Sequence, residues 1–271
     1  MTTGKSMKVK GAAGEIALQV SGAKGAPAVL LSHSILSSSA MWREQAALLA
    51  RRGLRVVCAD TRGHGQSSAP PAPYTMDDLA ADAVAVLDAL DIERVHLVGL
   101  SLGGMMGFGL GIRHPQRVAS LVLCDCRADA PPPVAAPWDE RMQSALREGC
   151  ASLAAATIER WFGKAFLEAH PEVAQRFREG VAATSVEGFV GCARAIQRLD
   201  YLPRVAQIQA PTTLIVGAND GPLPQAMADL QKLIPGSVLE AIAGAGHLPN
   251  IDQPAAFDAA LLRHFERVLP H

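Results

Sequence analysis

The chain has 271 residues, 49% of them hydrophobic and 19% charged, with a formal net charge of -1. That composition suits one large buried core, or a core with a small insertion, and excludes a disordered or fibrous chain. The near-neutral balance offers no footprint for nucleic acid, and no apolar run approaches a bilayer-spanning length, so neither nucleic acid nor a membrane is an expected partner.

Met1 to Lys10 is basic and polar and lacks the apolar centre of a secretory leader, so a cytoplasmic setting is expected. Five cysteines (Cys58, Cys124, Cys126, Cys150, Cys192) form an odd set without C-x-x-C spacing. They read as buried free thiols, with no metal site and no redox pair. Glu15 to Val20 alternates apolar and polar residues and is expected as the exposed edge strand of a first hairpin. Val29–Leu31 is a short buried strand, and Trp42 to Arg52 has helical spacing closed by Gly53. Arg55–Ala59 is the next strand, followed by the turn-rich loop Asp60 to Ser68. Thr75 is the expected N-cap of a helix reaching Leu90, with Asp77 and Asp78 in its first turn. Val95–Val98 then runs into Gly99-Leu100-Ser101-Leu102-Gly103, a helix to Arg113 follows, and Val118–Leu123 is a further strand. Strand alternating with helix predicts a mostly parallel sheet with right-handed crossovers.

The alternation stops at Cys124. From Asp129 to Ile208 no strand is expected; Pro131-Pro132-Pro133 opens a stretch with helical patterns near Trp138–Glu148, Ser152–Trp161, Pro171–Val181 and Val186–Leu199. This predicts a helical insertion, so the chain divides into a first core part (1–126), a helical cap (127–207) and a second core part (208–271). The core resumes with strand Thr212–Val216, helix Leu223–Ile234, strand Val238–Ile242 and helix Pro254–Leu269.

The chemistry gathers on Gly99-Leu100-Ser101-Leu102-Gly103, a G-x-S-x-G match between a strand and a helix. A serine on a sharp turn needs neighbours without a Cβ two residues either side, and its hydroxyl then stands at a helix N-terminus that favours developing negative charge. Such a nucleophile requires a base and an orienting acid on other strand-end loops. His247, after the last strand, and Asp220, after strand Thr212–Val216, supply them in the chain order Ser101, Asp220, His247 expected of an α/β-hydrolase. Asp125, at the end of strand Val118–Leu123, is a rival for the acid. Backbone N–H groups of Leu102 and Ile35 are the expected oxyanion donors. His64, in a glycine-flanked turn, reads as structural. In the insertion, Trp138, Trp161 and Phe162 read as cap packing or substrate contacts, and Arg141 as a solvated helix residue or a carboxylate partner.

These residues resemble the α/β-hydrolase superfamily over nearly the whole chain, and within it the 3-oxoadipate enol-lactonases. Matching stretches are Leu31-Ser32-His33-Ser34-Ile35, Met41-Trp42, Asp60 to Ser67, Gly99 to Gly104, Leu121 to Cys124, Trp138 with Arg141, and Glu159-Arg160-Trp161-Phe162. Two departures concern the oxyanion loop, where Leu36 stands for the usual glycine, and the run Gly221-Pro222-Leu223-Pro224 after the acid. The resemblance implies an eight-stranded, mostly parallel sheet flanked by helices, with no cofactor and no metal. It implies opening of a small carboxylated enol-lactone through an acyl-enzyme, with Trp138, Arg141 and Trp161 against the substrate. A small-molecule lactone or ester is the expected partner, and homo-oligomerisation stays open. The alternatives are a carboxylesterase or a carbon–carbon bond hydrolase of meta-cleavage products, and, from another class, a ligand-binding protein that keeps the fold.

Overall fold

The computed structural model describes residues 4–269; Met1 to Thr3 of the basic N-terminal stretch, and Pro270 and His271, lie outside the described residues. Eight strands form one sheet: β1 (Lys5–Lys10), β2 (Glu15–Ser21), β3 (Ala28–Ser32), β4 (Arg55–Ala59), β5 (Val95–Leu100), β6 (Val118–Cys124), β7 (Thr212–Gly217) and β8 (Val238–Ile242). Their order is β1-β2-β4-β3-β5-β6-β7-β8, with β1 and β2 antiparallel and the rest parallel. β3, β5 and β7 are buried along their whole length, as strands with both faces covered must be.

One expectation is corrected at the sheet edge. β2 is an inner strand, because Lys5–Lys10 pairs along its outer side. That segment reads as a polar tail since only Val9 is buried. Lysines on an exposed edge are a device that blocks pairing with another chain, and they mask the strand from a hydrophobicity pattern.

The helices are α1 (Arg43–Arg51), α2 (Met76–Ala89), α3 (Leu102–Arg113), α4 (Pro132–Ala135), α5 (Pro137–Glu148), α6 (Ala154–Phe162), α7 (Lys164–Ala169), α8 (Pro171–Ala182), α9 (Val186–Gln197), α10 (Leu223–Leu233), α11 (Pro249–Asp252) and α12 (Pro254–Val268). Thr75 caps α2 through a reciprocal pair with Asp78, which satisfies two otherwise orphaned N–H groups. Six helices, α4 to α9, fill the interval between β6 and β7. Two of them press directly on core loops. A Cβ on Gly188 of α9 would lie 2.3 Å from Gly63, and one on Gly246 would lie 2.3 Å from the Trp161 carbonyl of α6. No helix among the described residues is long and apolar enough to cross a membrane.

Candidate active site

β5 ends at Leu100 and α3 begins at Leu102, so Ser101 alone makes the turn, at φ 54 and ψ -111. A left-handed non-glycine residue costs about 1–3 kcal/mol and persists only where its surroundings hold it. Here its N–H donates to the Cys124 carbonyl at 2.8 Å and its carbonyl accepts from Met105 at 2.8 Å. The flanking glycines are required by close backbone approach: a Cβ on Gly99 would sit 2.3 Å from the Gly103 carbonyl, and one on Gly103 2.4 Å from the Ser32 carbonyl. Gly103 N–H donates to the His33 carbonyl, which ties the start of α3 to the loop after β3.

That loop rests on two buried imidazoles. Leu36, at φ 61, donates its N–H to His64 Nε2 at 3.1 Å, so His64 Nδ1–H donates to the Arg62 carbonyl. His33 Nε2 accepts from Thr61 N–H at 2.8 Å and Nδ1–H donates to the Ser34 carbonyl. Burial pushes His64 down to about 3, aided by His33, and lowers His33 too, so both rings are neutral scaffold. The Leu36 side chain, standing where the resemblance expects glycine, is fully buried. Among the described residues, neither Ile35 N–H nor Leu102 N–H donates to a protein acceptor, which leaves two donors for an oxyanion.

His247 sits on the loop after β8, and its Nδ1–H donates to Asp220 Oδ2 at 2.6 Å. Its backbone N–H donates to the Trp161 carbonyl at 2.8 Å, so α6 helps hold the imidazole loop. Sequence reasoning missed that contact, because a backbone acceptor leaves no mark in residue identity. With the proton on Nδ1, Nε2 carries the lone pair; it is buried and makes no hydrogen bond, to Ser101 or to any other described residue. Burial acts to raise the Asp220 carboxyl, but the charge and hydrogen bond of His247, with Arg160 beyond, hold it below the usual carboxylate range. Asp125, the rival acid, lies behind: its Oδ1 accepts from Gly217 N–H at 2.8 Å, and it does not bond the imidazole. The ligand atoms of Asp125, Asp220 and His247 all lie within 4.8 Å of one another, a spacing that also suits a metal. The direct His247–Asp220 bond instead engages those two groups with each other.

In the helical segment, Trp138 is nearly buried against Phe189, with ring centroids 6.2 Å apart. The Arg141 guanidinium lies 4.4 Å above the Trp138 ring and reaches the Thr157 hydroxyl at 3.3 Å. Arg141 and Trp138 are thus brought together. Trp161 is fully buried, edge-on to Phe162 and Phe177. Its indole Nε1–H, like Ser34 Oγ on the loop after β3, is buried without a partner among the described residues. All five cysteines are free and buried.

A family model described as the alpha/beta hydrolase fold matches residues 27–254. The chain is 35% identical over 238 residues to 3-oxoadipate enol-lactonase 2 of Acinetobacter baylyi, covering 87% of each. It is 32% identical over 262 residues to the RutD protein of Variovorax paradoxus, which carries the name of a carbamate hydrolase, covering 92% of this chain and 96% of that one. Among solved structures, the enol-lactonase from Burkholderia xenovorans is similar with a TM-score of 0.91 and 32% identity, over 96% of this chain and 100% of that one.

Proposed function

The chain belongs to the alpha/beta hydrolase family and is a hydrolase of ester or lactone bonds, and on that premise we propose that it opens 3-oxoadipate enol-lactone to 3-oxoadipate. Ser101 attacks the lactone carbonyl while His247 Nε2 takes its proton, and Asp220 holds the imidazole tautomer. The Ile35 and Leu102 N–H groups hold the oxyanion. Ring opening expels the enol oxygen, which His247 protonates and which then rearranges to the ketone. Water, activated by His247, releases the acyl group from Ser101. Written this way, the reaction calls on no metal or redox cofactor. We infer also that residues 127–207 act as the cap over this centre. A role in aromatic catabolism by the β-ketoadipate route follows from the substrate.

The observation that carries the substrate reading is Arg141. Its guanidinium stacks on Trp138 and bonds one hydroxyl, and no carboxylate pairs with it among the described residues. Burial, with help from Arg160, pushes it down to about 10. A desolvated guanidinium without a counter-ion is costly, and a substrate carboxylate offsets that cost with charge-assisted hydrogen bonds. The 32% identity to RutD supports a second reading, an ester- or carbamate-type substrate without the lactone ring.

Initial rates on 3-oxoadipate enol-lactone and on a chromogenic acetate ester separate the two. The lactone is expected to react faster. Arg141→Ala is expected to raise KM for the lactone by about tenfold or more while sparing the neutral ester. Faster turnover of the ester, or equal effects on both substrates, overturns the lactonase reading.

A further inference from the structure

Asp125 occupies an unusual position. It follows β6 directly, in a left-handed conformation at φ 44, and its residue is fully buried. One carboxyl oxygen is satisfied by Gly217 N–H, and the other, Oδ2, is buried with no donor reaching it. The neighbouring carboxylate is Asp220, itself on the imidazole of His247, all three groups lying within 4.8 Å of one another. Two buried carboxylates at such range repel each other when both are ionised, which favours a proton on one of them. The remaining contacts decide which side keeps it. Asp220 faces the Nδ1–H of His247 and the Arg160 charge, both of which favour its anion. Asp125 faces Asp220, Asp252 and the thiols of Cys124 and Cys126, with no cation beside it among the described residues, and burial followed by the Asp220 charge drives its carboxyl well above the ordinary range.

We propose that Asp125 is a positioning residue: a neutral carboxylic acid whose O–H donates to the Asp220 carboxylate and holds it against His247. The unpartnered oxygen is then a hydroxyl with an acceptor, and the row runs Asp125, Asp220, His247, Ser101. The donated bond restrains the Asp220 carboxylate and spreads part of its negative charge. Held so, the carboxylate keeps the proton of His247 on Nδ1 and leaves Nε2 free to take the Ser101 proton.

This rests on Ser101, His247 and Asp220 being the working centre, and Ser101→Ala and Asp220→Asn are measured alongside. Substantial activity in either sinks the centre itself, and this proposal with it. If both are inactive, the Asp125 variants decide. An asparagine keeps a donor for Asp220 and an acceptor for Gly217 N–H, so Asp125→Asn retains most of the activity. Asp125→Ala keeps neither, and its kcat falls about tenfold or more while KM changes little. The infrared spectrum of the parent carries the carbonyl stretch of a neutral carboxylic acid at neutral pH, and Asp125→Asn lacks it. This reading survives even if Asp125→Ala fails to fold. Four results overturn the proposal: Asp125→Asn as inactive as Asp220→Asn; Asp125→Ala with unchanged kcat; no carboxylic acid band; or activity lost to a chelator and restored by a divalent cation.

Discussion

At Ser101 the backbone carries strain so that one hydroxyl can stand at the N-terminus of α3. Removing that hydroxyl removes the proposed nucleophile and leaves the loop, the imidazole and Arg141 in place. Ser101→Ala is expected to bind lactone with an affinity near the parent's while kcat falls by about three orders of magnitude or more. Calorimetric binding together with single-turnover kinetics measures both, and turnover near the parent rate refutes the nucleophile assignment. Around this residue, identity and backbone act differently. Asp220 and His247 meet through side-chain atoms, whereas the roles proposed for Ile35 and Leu102, and the Trp161 contact to His247, use main-chain groups that many other residues could supply.

At the level of elements, the centre depends on how closely β3, β5 and α3 approach. Gly103 is where this is tightest: its N–H bonds the His33 carbonyl at 3.1 Å and its Cα faces the Ser32 carbonyl. Gly103→Ala introduces a Cβ 2.4 Å from that backbone oxygen, so the start of α3 must move away from the loop bearing Ile35. Both oxyanion donors then shift relative to each other. The expected result is a fall in kcat of about a hundredfold, with KM little changed. A variant with parental kcat shows that the close approach is dispensable. The helical segment is tied to the core in a similar way, through Gly188 against Gly63 and the Trp161 carbonyl on His247 N–H. These contacts couple α6 and α9 to the loops that carry the chemistry.

On the scale of the whole molecule, the sheet hides a second polar chain toward the starts of β5, β6 and β7, at the opposite end of β5 from Ser101. His96 Nδ1 meets Ser120 Oγ at 2.7 Å, Ser120 Oγ meets His264 Nε2 at 2.8 Å, and His264 Nδ1 meets Thr213 Oγ1 at 2.8 Å. This joins β5, β6 and β7 to α12. Burial first, then the charge of Arg267, lowers His264 to about 3; burial, then Arg94, lowers His96 to about 4. The unfolded chain takes up these protons near the ordinary histidine value of 6.5, and the folded one does not until about 3 to 4. Their contribution to stability is therefore full above 6.5 and is lost as pH falls below it. Asp125 and Asp252 act in the opposite sense, since burial raises both carboxyls, that of Asp252 to about 6. A variant isolates the histidine share. Between pH 7 and pH 5, Tm is expected to fall less in His264→Gln than in the parent, and equal slopes in thermal melts refute the assignment.

Hydrophobic periodicity and turn residues in the sequence determined the α/β order, the parallel core, and the serine turn with Asp220 and His247 on later strand-end loops. Those features follow from local rules: which residues alternate, which cap a helix, and which can stand beside a strained turn. β1 escaped because an edge strand rich in lysine carries almost no burial pattern. Sequence alone left two carboxylates as candidates for the histidine, since Asp125 and Asp220 both end strands. Only tertiary structure decided that Asp220 meets the imidazole while Asp125 stands behind it on Gly217 N–H. It also decided that His64 and His33 brace the loop after β3 and that a tryptophan carbonyl anchors His247. The reason is range. Hydrogen bonds between loops distant along the chain depend on differences of an ångström in where strands end, and a residue pattern read locally contains no such distances.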